Sequence, residues 1–220
     1  MIKCCIFDLD GTILDTITTI THFVNLTHDK FGVERVSVEE CKYFAGNGAR
    51  LLIERSSSSR GVTDEKIKEA MLLDYNKTYD ANPLYLTSPF EGIPELLLRL
   101  KALGIKLAVL SNKPDPTTKS VVEKFFPGIF DIALGGRDGV PLKPDPTAPR
   151  DIMRLLGVTS EETVWVGDTS TDIETGKNIN AKISVGCLWG FRKIDELKVA
   201  GADLIVTTPD EIYDEVLRNV

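Results

Sequence analysis

Histidine is nearly missing from this chain, with two among 220 residues, His22 and His28. No Ser-His-Asp set can be assembled without one of them, which argues against a serine hydrolase. They are not spaced with cysteines as zinc ligands would be, and both read as surface residues of a helical segment. Cysteine is also sparse: Cys4, Cys5, Cys41 and Cys187 form no CxxC pattern, and reduced thiols in a cytoplasmic protein are the simplest account. Long apolar runs are absent, none approaching the roughly 20 residues a membrane helix needs. Residues 1–7 run straight into acidic positions and are too short for a signal peptide. Positive charge is short too: the net charge is −7 and the pI about 5.0, so the chain should repel nucleic acid and anionic membranes. A local cluster of cations could still receive a small anion.

What remains is ordinary for a globular protein, with 42% hydrophobic and 27% charged residues. The length suits one large domain, or a medium domain carrying a smaller insertion. Residues 2–7 are a short apolar run ending at Asp8, which predicts a buried strand feeding a loop. Cys4 and Cys5 are neighbours on it, so their side chains should point to opposite faces. Similar runs occur at 105–110, 129–134, 163–166 and 182–185, with a weaker one at 203–206. Helical segments at 94–103, 117–126, 148–156 and 172–178 alternate with them. That alternation predicts a doubly wound, mostly parallel α/β sheet with helices on both faces.

The alternation fails between residues 16 and 85. Ile17, Ile20, Val24, Thr27 and Phe31 recur at helical spacing, with Gly32 as a stop. Ser37 and Glu40 match a capping box, and 64–79 has a third helical stripe through Ile67, Met71 and Tyr75. The serine run 56–59 reads as a mobile turn. The expected division is therefore an α/β core of residues 1–15 and 86–220, with an all-helical insert over 16–85.

In an open parallel sheet, residues just beyond the carboxyl ends of the strands converge. Asp8 and Asp10 follow the first strand, Ser111, Asn112 and Lys113 the second, and Asp168 and Asp172 the fourth. Lys143 lies in the proline-rich loop 141–146, long enough to fold over the same rim. Clustered carboxylates repel one another unless a hard cation such as Mg²⁺ sits among them. Lys143 and Ser111 could hold phosphate oxygens, one carboxylate could attack phosphorus, and another could move a proton. An Asp-x-Asp-Gly run also begins a calcium loop, but Ile13 and Thr19 stand where glycine and glutamate are required. No phosphate-loop motif exists, since Gly46-x-Gly48 lacks a third glycine and follows no strand.

Four segments in order resemble the motifs of the haloacid dehalogenase superfamily. They are Asp8-Leu9-Asp10-Gly11-Thr12, Ser111-Asn112-Lys113, Lys143-Pro144, and Gly167-Asp168 with Asp172. The resemblance implies a Rossmann-like core with a helical cap after the first strand. It implies Asp8 as nucleophile and Mg²⁺ ligand, and Asp10 as acid/base whose carbonyl also reaches the metal. Ser111, Asn112 and Lys143 would bind phosphate, Asp168 would bind Mg²⁺, and Asp172 would support the metal waters or Lys143.

Within the insert, residues 45–50, with Asn47 and Arg50, resemble the glycine-rich cap segment of phosphoglycolate phosphatases. Asn47 and Arg50 would then meet the substrate. The leading expectation is Mg²⁺-dependent hydrolysis of 2-phosphoglycolate to glycolate by a cytoplasmic monomer or homodimer. Its partner would be a small phosphorylated metabolite, not nucleic acid or membrane. Enzymatic alternatives are a pyrophosphatase, a sugar-phosphate phosphatase or a β-phosphoglucomutase-like enzyme. A receiver-type signalling domain carries its acceptor on a later strand and has no insert of this size. A non-catalytic phosphate-binding module would not need every catalytic position filled. Lys113 reads equally as a substrate contact or a loop lysine, Arg137 as a surface charge, and Trp165 and Trp189 as packing.

Overall fold

The computed structural model describes all 220 residues. The first part of the chain holds β1 (Cys4–Phe7), β2 (Leu14–Asp15), α1 (Ile17–Lys30), α2 (Val38–Phe44), α3 (Ala49–Ser58), α4 (Glu65–Ala81) and β3 (Ser88–Pro89). Then come α5 (Ile93–Ala102), β4 (Lys106–Pro114), α6 (Asp115–Phe125), β5 (Ile132–Gly136), α7 (Thr147–Leu156) and β6 (Thr163–Gly167). The chain ends with α8 (Ser170–Asn178), β7 (Ile183–Cys187), α9 (Ile194–Val199), β8 (Leu204–Val206) and α10 (Pro209–Arg218). Two compact units result: Met1–Asp15 with Pro89–Val220, and Thr16–Ser88.

The first unit is built on a six-stranded sheet in the order β5-β4-β1-β6-β7-β8. Every neighbouring pair is parallel. Strand β1 sits between β4 and β6, so the chain winds first to one side of it and then to the other. That reversal is the position where such sheets bind ligands. The two faces are distinct, as the alternation in β1 requires. Cys5 and Phe7 pack with α5, α6 and α10 through Leu97, Val121 and Ile212. Cys4 and Ile6 lie on the other face, with Ile152 of α7, Trp165 and Ile179. Fully burying each such aliphatic side chain contributes about 1.5–3 kcal/mol, so both faces are needed to hold the sheet.

Strand β4 runs further than its apolar stretch, to Pro114, with its pairing to β5 shifted between Leu110 and Pro114. Ser111, Asn112 and Lys113 are therefore strand residues and not a loop, and all three are buried. Helices α9 and α10 lie outside the helical segments expected from the sequence; α9 is only six residues long.

The second unit is all helical. Helix α1 packs on α2, α3 and α4, and α3 packs on α2 and α4. Ser37 caps α2, its hydroxyl accepting from the Glu40 N–H while Glu40 returns to the Ser37 N–H. Two expectations fail here. The serine run is no mobile turn: Ser56 and Ser57 are wholly buried in the last turn of α3. The Ser57 hydroxyl donates to the Ile53 carbonyl, a bond that lets a polar residue end a buried helix face. His28 is not a surface residue either, being fully buried. Its Nδ1 lies 2.7 Å from the Glu34 carbonyl oxygen and its Nε2 3.2 Å from Ser56 Oγ. Burial lowers its pKa, so the ring is neutral and both nitrogens are used.

Candidate active site

The site assembles at the carboxyl ends of β1, β4 and β6. After β1 the backbone turns sharply: Gly11 N–H donates to the Leu14 carbonyl, and Ile13 and Leu14 donate to the Leu9 carbonyl. Gly11 has φ +88, and a Cβ there would lie 2.3 Å from Asp168 Oδ2, so only glycine fits. The turn leaves Asp8 buried and Asp10 partly exposed.

Lys143 draws the site together. Its Nζ lies 2.6 Å from Asp8 Oδ1 and 2.7 Å from Asp172 Oδ1, with the lysine side chain 2% exposed. The main chain of Lys143 is tied to β4, its N–H donating to Asn112 Oδ1 at 2.8 Å and its carbonyl accepting from Asn112 Nδ2 at 3.3 Å. Asn112 thus acts on the lysine loop as well as lying beside Ser111. Asn178, at the end of α8, also has a place here. Its Nδ2 donates to the Pro144 carbonyl at 2.9 Å and steadies the same loop.

Asp172 is committed twice. Its Oδ2 accepts from the Thr169 N–H and hydroxyl at 3.1 and 2.7 Å, capping α8, while Oδ1 holds Lys143. Asp168 is gripped from two sides. Thr12 Oγ1 donates to its Oδ1 at 3.0 Å, and the Phe191 N–H donates to its Oδ2 at 2.7 Å. The 188–192 loop supplying Phe191 has no motif that marks it in advance. Trp189 in that loop donates from Nε1 to the Thr12 carbonyl at 2.9 Å, so it does more than pack. A Cβ on Gly190 would come within 2.3 Å of both Asp168 Oδ2 and the Gly11 carbonyl. Glycine before an aromatic in a loop after a strand was the one available signal.

Oxygens of Asp8, Asp168 and Asp172 all lie within 4.8 Å of one another. One ammonium, Lys143, faces these three carboxylates, so the cluster is short of positive charge. The imbalance shifts the pKa values of the cluster. Burial, then the Asp172 charge, push Asp8 up to about 7 against the opposing pull of Lys143. Burial, then Asp172 and Asp8, raise Asp168 well above the carboxylate range, against the Phe191 and Thr12 bonds. Burial would lower Lys143, but Asp172 and Asp8 overcome it and raise it. A buried, all-oxygen cluster deficient in cations fits a hard divalent ion. Asp8 and Asp168 would hold it; Asp172 is occupied by Lys143 and Thr169.

Other residues fall nearby or elsewhere. Lys113 pairs with Asp10, Nζ to Oδ1 2.8 Å, and its N–H donates to Ser111 Oγ at 3.2 Å. Arg137 is half-buried, not a plain surface charge. Its Nε and Nη2 have no protein partner and line a small cavity with Ser111, Asn112 and Lys143. Asn47 and Arg50 belong to the helical unit. Asn47 Oδ1 accepts from Arg55 Nη1 at 2.8 Å, and exposed Arg50 pairs with Glu69 at 2.7 Å. The cysteines are free and buried, and burial raises each thiol, Cys41 to about 11, so none is a nucleophile.

A doubly wound sheet with paired aspartates after its first strand, a lysine bridging two carboxylates and an acidic pair after a later strand defines a phosphoryl-transfer hydrolase. Residues 5–185 match the haloacid dehalogenase-like hydrolase family, and the chain belongs to it, as a phosphatase. A phosphoglycolate phosphatase of Aquifex aeolicus is 34% identical over 191 residues, covering 86% of this chain and 86% of its own. One from Cereibacter sphaeroides is 35% identical over 176 residues, covering 78% and 79%. A crystal structure from Lactobacillus delbrueckii subsp. bulgaricus superposes with a TM-score of 0.93 at 31% identity, covering 97% of this chain and 98% of its own.

Proposed function

We propose that this phosphatase hydrolyses a small phosphomonoester through an aspartyl phosphate on Asp8, with 2-phosphoglycolate as substrate and glycolate and phosphate as products. The observation that carries the chemistry is Lys143 Nζ bridging Asp8 and Asp172 within 2.7 Å, beside Asp168. The name shared by the Aquifex and Cereibacter relatives supports the substrate.

Asp8 Oδ attacks phosphorus as the bond to the ester oxygen breaks, and Asp10 gives that oxygen a proton. Asp10 then takes a proton from water, whose oxygen attacks phosphorus. The acyl–phosphate bond breaks, releasing phosphate and restoring the Asp8 carboxylate. Lys143 fixes Asp8 Oδ1 and, with the Ser111 hydroxyl, neutralises the transferring oxygens. Asp8, Asp168 and the Asp10 carbonyl would hold Mg²⁺, which would supply charge neutralisation there. Asp172 positions Lys143.

The helical unit is read as the cap that selects the leaving group. Asn47 would meet substrate from its glycine-rich segment, and Arg50 would have to leave Glu69 to do so. No helix is long and apolar enough to cross a membrane. The free thiols favour a cytoplasmic setting. The test is a substrate panel at fixed Mg²⁺: phosphoglycolate should exceed pyrophosphate, sugar phosphates and other esters in kcat/KM. Similar values across the panel would overturn the substrate assignment.

A further inference from the structure

The two stretches of backbone that present Asp168 are joined by a carboxylate outside the acidic cluster. That carboxylate is Glu196, in α9. Its Oε1 accepts at 3.1 Å from the N–H of Ser170, which lies just beyond Asp168 in the chain. The same oxygen accepts from Arg192 Nε at 3.1 Å, and that nitrogen is also 3.1 Å from Oε2. Arg192 follows Phe191, whose N–H donates to Asp168 Oδ2 at 2.7 Å. A ring of contacts therefore closes, from Asp168 through Phe191, Arg192, Glu196 and Ser170 back to Asp168.

Glu196 sits on a firm base. Its neighbour Leu197 is wholly buried, and a Cβ on Gly186 of β7 would stand 3.0 Å from Leu197 Cδ1. Arg192 is buried too, its side chain 7% exposed, so its charge requires an anion close by. Ser170 opens α8, and its N–H is one of the donors a helix leaves without an internal partner. Capping alone would account for that bond, as Glu211 accepts from the Thr207 and Thr208 N–H groups ahead of α10. It does not account for one oxygen that joins the start of α8 to the loop reaching back to Asp168.

We propose that Glu196 is a positioning residue for the metal site. By tying α8 to the 188–192 loop, it keeps the Phe191 N–H on Asp168 and fixes the angle at which that carboxylate meets a divalent cation. Without the tie the loop is free to draw away from α8, and Asp168 loses the donor that orients it. Partners that orient a metal ligand typically govern affinity by about 10–100-fold. This assignment rests on the reading of Asp168 as a Mg²⁺ ligand, and adds a residue that acts on it only through the backbone.

The experiment measures Mg²⁺ affinity of the full chain by calorimetric titration at pH 7.5, without substrate. Wild type, Glu196→Ala, Glu196→Gln and Glu211→Ala are compared. Glu211→Ala removes a carboxylate that caps α10 but joins nothing to Asp168. Glu196→Ala should raise the Mg²⁺ dissociation constant by about 10-fold or more. Glu196→Gln, whose amide oxygen still accepts from Ser170 and Arg192, should recover part of that loss. Glu211→Ala should lower the thermal midpoint yet stay within about 2-fold of wild type in Mg²⁺ affinity. An unchanged affinity in Glu196→Ala, or an equal loss in Glu211→Ala, overturns the assignment. A wild type that takes up no Mg²⁺ overturns the reading of Asp168 as a metal ligand instead. If Glu196→Ala does not fold, Glu196→Asp, too short to hold both partners, takes its place in the same comparison.

Discussion

Lys143 Nζ stands 2.6 Å from Asp8 Oδ1 although 135 residues separate them in the chain. The lysine arrives on a loop anchored by Asn112 and Asn178, and the aspartate at the end of a central strand. Their meeting neutralises part of a buried acidic cluster and fixes one oxygen of the nucleophile, leaving the carboxylate aligned by the fold before any substrate arrives.

Asp8→Asn should abolish turnover and spare the fold. The amide keeps the volume and can accept from Lys143, but it is a poor nucleophile. Activity should fall by about four orders of magnitude or more, while the thermal midpoint stays near that of the wild type. A mutant with a near-normal rate means another group attacks phosphorus.

Lys143→Met removes the cation and leaves two buried carboxylates facing each other. Breaking a buried pair in this way costs about 3–5 kcal/mol. The cost should be full at pH 8 in EDTA, where the carboxylates are charged, and smaller at pH 5, where Asp8 can hold a proton. Urea unfolding at the two pH values measures it, and a pH-independent loss would contradict the mechanism.

Metal and proton should compete for the same cluster. Asp8 is raised to about 7 in the folded protein, above the ordinary aspartate value of 3.8. Between these values the folded state holds a proton that the unfolded state has released, so this group's contribution to stability falls as pH rises. That contribution is fully present below about pH 4 and gone above about pH 7. Mg²⁺ replaces the proton, so the rise in melting temperature on adding Mg²⁺ should be greater at pH 7.5 than at pH 5. Equal increments would show that the ion binds elsewhere.

Gly190→Ala tests the least expected part of the site. Its Cβ would press on Asp168 Oδ2 and the Gly11 carbonyl, each at 2.3 Å. Either the 188–192 loop retreats and loses the Phe191 bond, or Asp168 turns. Both outcomes weaken metal binding, and a roughly 10-fold or greater rise in the Mg²⁺ dissociation constant is expected. Mg²⁺-dependent thermal shifts read this without an assay of activity.

The sheet, its two faces and the four motif-bearing positions could be read from the residues alone. Each depends on a short-range pattern: an apolar run ending in an aspartate, a glycine stop, or the alternation that sends Cys4 and Cys5 to different cores. Ser37 and Glu40 could be paired for the same reason, since a capping box is closed within four residues. The tertiary structure alone decided how the charges are shared. Asp172 divides itself between Thr169 and Lys143, Lys113 is taken by Asp10, and Asp168 is held by a loop after β7 that carries no motif. The buried serines and His28 belong with these. Such pairings follow from β1 lying between β4 and β6, and from how helices close around a core. No periodic signal records either, because the partners are distant in the chain and the contacts are made by single atoms.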